Sequence, residues 1–130
     1  MSAATPAQLA RLQRLAQLKS DLEMRRFSAY RSRVEAMQGQ IRAIQQDLQA
    51  VYASTSAFSI EEARLANALA GERSRALLRA EQALQQMLPG YESARQAAVR
   101  EFGRVEVMRS VREDLLAQKA QDASRKASSS

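Results

Sequence analysis

Cysteine, histidine and tryptophan are all absent from the 130 residues. Without cysteine no disulfide can form, and the chain suits a reducing compartment. With histidine missing as well, zinc fingers, thiol nucleophiles and histidine general bases are excluded. There are only 4 glycines, 2 prolines and 3 phenylalanines. Turns are therefore few, and any core is thin and built from Leu, Val, Ile, Met and Ala. No apolar run approaches the ~20 residues of a membrane span. The opening MSAATPAQLARLQRL lacks the apolar stretch and small-residue cleavage site of a secretory signal. A cytoplasmic, non-enzymatic helical protein is expected, with no cofactor and no metal.

What is present is Ala, Leu, Arg, Gln and Glu, the composition of long helices or coiled coil. The net charge is +6, from 20 basic and 14 acidic residues. A basic surplus can mark a nucleic-acid binder, but here the arginines are interleaved with acids along the whole chain. Arg95, Arg100, Arg104, Arg109 and Arg112 scatter around a helix instead of lining one face. Arginines flanking a coiled coil and pairing with Glu and Asp are the commoner case.

Phe27, Tyr30, Val34, Met37, Ile41, Ile44, Leu48 and Val51 alternate in steps of three and four, the a/d seam of a coiled coil. Upstream, Leu9, Leu12, Leu15, Leu18 and Leu22 form a stripe that does not continue into this register. A strict heptad would put Ser20 and Glu23 in the seam, so a change of phase is expected between Leu22 and Phe27. Thr5 is the expected N-cap, with Pro6 at the first helical position. Helix 1 is placed at about 6–53.

The pattern stops at 54–59, where Ser54, Thr55, Ser56 and Ser59 favour local side-chain bonds over helix. Ser59-Ile60-Glu61-Glu62 reads as a capping box with Phe58 at the staple position. A second helix is placed at about 60–123, with 124–130 a disordered tail. Its stripe starts at Leu65 and Leu69 and continues through Leu77, Ala80, Leu84, Met87, Tyr91, Ala94 and Ala98, then Val105 and Met108. Pro89 and Gly90 lie inside this series without shifting the count. That predicts one continuous helix kinked at Pro89-Gly90, in which replacing both residues by alanine should raise helicity and keep the topology.

A short connector makes the helices antiparallel neighbours, so the expected fold is an all-α, two-helix coiled-coil hairpin, a single domain over 1–123. With Ala53 facing Ile60 and the count running outward, Pro89 falls opposite Met24, within the expected phase break. That divides the hairpin into a regular half, 27–88, and a looser terminal half. Residues beyond about 107 would then overhang helix 1 by roughly 25 Å.

Nothing is arranged for catalysis. GERSRA at Gly71 lacks the Gly-Lys-Ser/Thr ending of a phosphate loop. Glu61 with Glu62, and Glu113 with Asp114, are adjacent in sequence and diverge on a helix. The features together, with AVREFGRVEVMRSVRE in the second helix and Leu48 and Tyr52 before the corner, resemble the FliJ/YscO family. Its members are small stalk proteins of the flagellar and type III secretion export apparatus. The likeness covers most of the chain and rests on pattern, length and charge.

The resemblance implies a stalk between an export ATPase hexamer and the cytoplasmic domain of the export-gate membrane protein, with export chaperones as further partners. It implies no small-molecule substrate and a place in the cytoplasm, peripheral to the inner membrane. Such a stalk is similar to the central γ subunit of rotary ATPases. Its terminal end would enter the ATPase ring, with Arg104, Arg109 and Arg112 facing carboxylates beside Met108, Val111 and Leu115. Its corner would meet the gate through Leu48, Tyr52, Phe58, Leu65 and Leu69. For the leucines the alternative is plain seam packing; for the arginines it is a solvated flank. Two other readings stay open: a generic coiled-coil adaptor or homodimeric scaffold, and a basic helical protein binding nucleic acid or anionic membrane.

Overall fold

The computed structural model describes residues 5–53 and 59–129. It is all-α: α1 (Pro6–Ala53) and α2 (Ile60–Ser129), of 48 and 70 residues, pack against each other as two long helices. The α1 start is a reciprocal capping box. The Gln8 amide donates to Thr5 Oγ1 at 3.2 Å, and the Thr5 amide donates to Gln8 Oε1 at 2.9 Å. Pro6 sits at N1, where its missing N–H costs nothing. At the α2 start the Glu62 amide donates to Ser59 Oγ at 3.2 Å, and Glu61 and Glu62 lie in the first turn, where the helix dipole favours carboxylates. Ser54, Thr55, Ser56 and Phe58 lie outside the described residues.

α2 passes through Pro89 without interruption, and no described glycine has positive φ. Pro89-Gly90 therefore does not break the segment into two helices. α2 also continues through Ser129 instead of ending in a disordered tail at 124. There Ser128 Oγ donates to the Ser124 and Arg125 carbonyls and Ser129 Oγ to that of Lys126. These hydroxyls bond back along the helix, giving late carbonyls a partner.

The chain divides into two compact units. The central unit is Ser28–Ser93; the terminal unit combines Met1–Phe27 with Ala94–Ser130. In the central unit the α1 seam is the one its apolar spacing predicts, with Val34 and Ile44 buried. On α2 the covered positions include the series Ala63, Ala66, Ala70, Arg73, Leu77, Ala80, Leu84, Met87 and Tyr91. The steps are again three and four, but Leu65 and Leu69 fall outside the series and are 70% and 44% exposed. Alanines hold the seam because a small residue suits close helix packing, while leucine would hold the helices apart.

The register is also corrected. Gly90, which counting outward from Ala53 and Ile60 sets opposite Glu23, meets Tyr30, one heptad along. A Cβ built on Gly90 would lie 2.8 Å from Tyr30 Cε1 and 3.1 Å from its hydroxyl. Arg73, half-buried in the seam, reaches Asp47 at 3.8 Å. Heptad periodicity is blind to a slide of one whole repeat, so only such particular contacts choose among offsets.

In the terminal unit no change of phase occurs. Leu9, Gln13, Ala16, Ser20, Glu23 and Phe27 are the covered positions of α1, still in steps of four and three. The α2 series facing them is Ala94, Ala98, Glu101, Val105, Met108, Arg112 and Leu115. Polar side chains are accommodated inward because they find partners there. Arg112 Nη1 donates to Gln13 Oε1 at 3.3 Å, and Lys19 pairs with Glu101 at 3.5 Å. Covering of α2 ends at Leu115, not near 107, and every described residue from 116 to 129 is exposed.

The expected effect of the two alanine replacements therefore splits. Pro89→Ala restores a backbone donor in an exposed helix interior and should stabilise by up to ~3 kcal/mol. Gly90→Ala gains ~1 kcal/mol of helix propensity but drives a methyl into the Tyr30 ring, an overpacking cost of ~1–3 kcal/mol. Thermal unfolding should show Gly90→Ala lowering the midpoint, and Tyr30→Ala should reverse the sign of that substitution in a double-mutant cycle. A higher midpoint for Gly90→Ala alone would mean that the ring does not occupy this site.

Candidate interaction surfaces

The net charge is not spread evenly. The terminal unit holds 13 basic and 7 acidic residues, and the central unit holds 7 of each. The whole excess of +6 thus belongs to the terminal unit. Long-range attraction for an acidic partner is concentrated there.

Within that unit the six residues suggested for an ATPase contact separate into two groups. Met108, Arg112 and Leu115 are half-buried in the seam, so they hold α2 to α1. Arg104, Arg109 and Val111 point outward. Arg104 donates to Glu101 at 2.9 Å, and Arg109 pairs with Glu106 one turn back. The arginines are therefore not a free set aimed at one target. The Arg109–Glu106 pair, between partly exposed groups, contributes only a few tenths of a kcal/mol.

Of the five gate-contact residues, Leu48 is half-buried in the seam, Tyr52 is 72% exposed, and Leu65 and Leu69 are exposed on α2. Phe58 lies outside the described residues. Seam packing thus describes Leu48 and not the other two leucines. Tyr52, Leu65 and Leu69 remain an outward apolar set in the central unit.

Glu101 is the most unusual side chain of the terminal unit. It is only 5% exposed, at a seam position, with Lys19 and Arg104 both on its Oε1. Ser20, one residue along from Lys19, is 2% exposed. Nearby, Glu23 Oε2 and Arg112 Nε are buried without a hydrogen-bond partner. Counting apolar residues misses all of these, because it assigns the inward face to the leucines.

The leucines instead lie outside. Leu12 is 48% exposed, and Leu15, Leu18 and Leu22 are each just over 60% exposed. Between α1 and α2 on this side runs an open groove of about 640 Å³, lined by Leu15, Lys19, Gly103, Arg104 and Val107 among others. A Cβ built on Gly103 would meet no atom within 4 Å, so the space beside it is open. Among the described residues there is no group of three or more His, Cys, Asp or Glu side chains placed to hold a metal, and no helix long and apolar enough to cross a membrane.

Burying the Glu101 carboxylate costs more than its two half-exposed partners return. Glu101→Leu should therefore raise stability by about 1–2 kcal/mol, read as a higher midpoint in thermal unfolding. A fall would mean that the Lys19 and Arg104 bonds outweigh desolvation. No protein-family model, curated protein or solved structure matches the chain.

Proposed function

We propose that the protein is a non-enzymatic coiled-coil stalk of a bacterial flagellar or type III export apparatus, acting between the export ATPase ring and the export gate. The observation that carries this reading is the placement of charge and unpaired helix together. The unit with the whole +6 excess also contains the exposed end of α2, from Leu116 to Ser129. A lone helix is marginal in water, and a basic one is suited to docking within an acidic ring. Arg104, Arg109 and Val111 lie on the outward surface of the same helix. In this reading Tyr52, Leu65 and Leu69 of the central unit meet the gate.

The test uses the purified export ATPase and the full chain. Truncation after Leu115 removes the exposed end and leaves the covered seam intact. Binding to the ATPase should be lost in the truncated chain and weakened about 10-fold by Arg109→Glu. Unchanged binding after truncation would reject this mode of attachment. Tight binding to duplex DNA instead, falling steeply with salt, would favour the nucleic-acid reading that the same charge supports.

A further inference from the structure

Three of the four exposed leucines of α1 share one flank, while Leu18 faces away from the seam. Leu12, Leu15, Lys19, Leu22 and Arg26 follow steps of three, four, three and four, the spacing of a second coiled-coil seam flanking the first. On α2 the residues on the same side, Arg100, Arg104, Val107 and Val111, follow four, three and four. The two flanks converge: Leu15 and Lys19 face Arg100, Arg104 and Val107 across the open groove. From Leu12 to Leu22 the stripe runs about 15 Å, three turns of helix. Two helices presenting matched flanking seams on one side have the geometry of a three-helix bundle with one helix missing.

Charge identifies the missing helix. Lys19, Arg26, Arg100 and Arg104 stand on the groove side. Glu23 and Glu101 are turned into the seam, and Asp21, Glu106 and Glu113 fall by heptad position on the opposite flank. Asp114 is the one carboxylate on the groove flank, beyond Val111 and outside the groove lining. Glu101 does not offset the rim from outside, since it is buried beneath Lys19 and Arg104. A second copy of this chain would bring the same cations against themselves, which disfavours a symmetric pair on this face. A membrane surface would meet apolar residues best on a convex ridge, whereas these converge on a groove.

We infer that the groove of the terminal unit between Leu12–Leu22 and Arg100–Val111 docks an acidic amphipathic helix of a partner protein, completing a three-helix bundle. Leucine or valine from the partner fills the space between Leu15 and Val107 and continues along the stripe to Leu22, with Gly103 leaving its backbone room to approach. Glutamates beside that stripe reach Lys19, Arg100 and Arg104. The stalk reading shares Arg104 and Val111 with this flank, but its attachment is carried by the exposed end of α2 beyond Leu115, which the groove does not include.

The test measures binding of the full chain to a three-heptad synthetic peptide with leucine in steps of three and four and glutamate elsewhere. The comparison peptide carries lysine in place of glutamate. Binding of the acidic peptide alone is expected. The Leu15→Gln/Leu22→Gln variant, altered only at exposed positions, should weaken it at least about 10-fold with helicity and unfolding midpoint unchanged. Failure of the acidic peptide to bind, or equal binding by the variant, overturns the proposal. So does leucine-dependent binding to phosphatidylserine vesicles in place of the peptide, or a dimer in sedimentation that the variant dissolves. None of these outcomes depends on the ATPase measurement with the chain truncated after Leu115.

Discussion

Tyr30 rests against the bare backbone of Gly90, and that contact sets which turn of α2 meets which turn of α1 in the central unit. A seam of strict three-four steps repeats every heptad, so sliding one helix by a repeat keeps apolar residues against apolar residues. Burial alone cannot choose among such offsets. A ring seated against a glycine can, because the next heptad along α2 offers Ala83 or Ala97, each with a methyl where the ring would lie. The Asp47–Arg73 pair supports the same choice within that unit. In the terminal unit, pairing is marked by polar contacts, Lys19 with Glu101 and Gln13 with Arg112.

These contacts also mark the limit of what the sequence reveals. Both helix starts are legible because Thr5 and Ser59 are cap residues with identifiable amide partners. Passage through Pro89 is legible because the count from Met87 to Tyr91 holds. The seam can be read wherever its residues are large and apolar, from Phe27 to Val51 and from Leu77 to Ala98. It cannot be read at Ala63, Ala66 and Ala70, where neighbouring Leu65 and Leu69 give the stronger hydrophobic signal. It is misread at Gln13, Ser20 and Glu23 for the same reason. The one-heptad register error follows from anchoring the count at the corner, and it places the end of pairing near 107 instead of Leu115.

The candidate surfaces were legible to a similar degree. Counting charges locates no surface, but assigning each charge to its unit and flank does. Arg112 illustrates the difference: in sequence it belongs with Arg104 and Arg109, yet it lies in the seam bonded to Gln13. Lys19 looks like one more charge on a leucine-rich helix. Only the turned-in Glu101 shows that Lys19 lies on the rim of a groove.

The terminal unit inverts the usual arrangement of a helix pair, with a carboxylate and a serine inside and four leucines outside. Burying one leucine side chain is worth about 1.5–3 kcal/mol, so an isolated pair arranged this way forgoes much of the stabilisation its composition could supply. Rotating α1 to bury the leucines would recover it locally, but would strand Glu101 opposite apolar side chains and break the continuous heptad phase of α1. The arrangement becomes economical if the leucines have a second surface to meet. Two seams on a basic unit then serve different ends: the inner one, with Ser20 and Glu101 at its centre, holds α1 to α2 in register, and the outer, leucine-rich one is left for a helix that neither α1 nor α2 supplies.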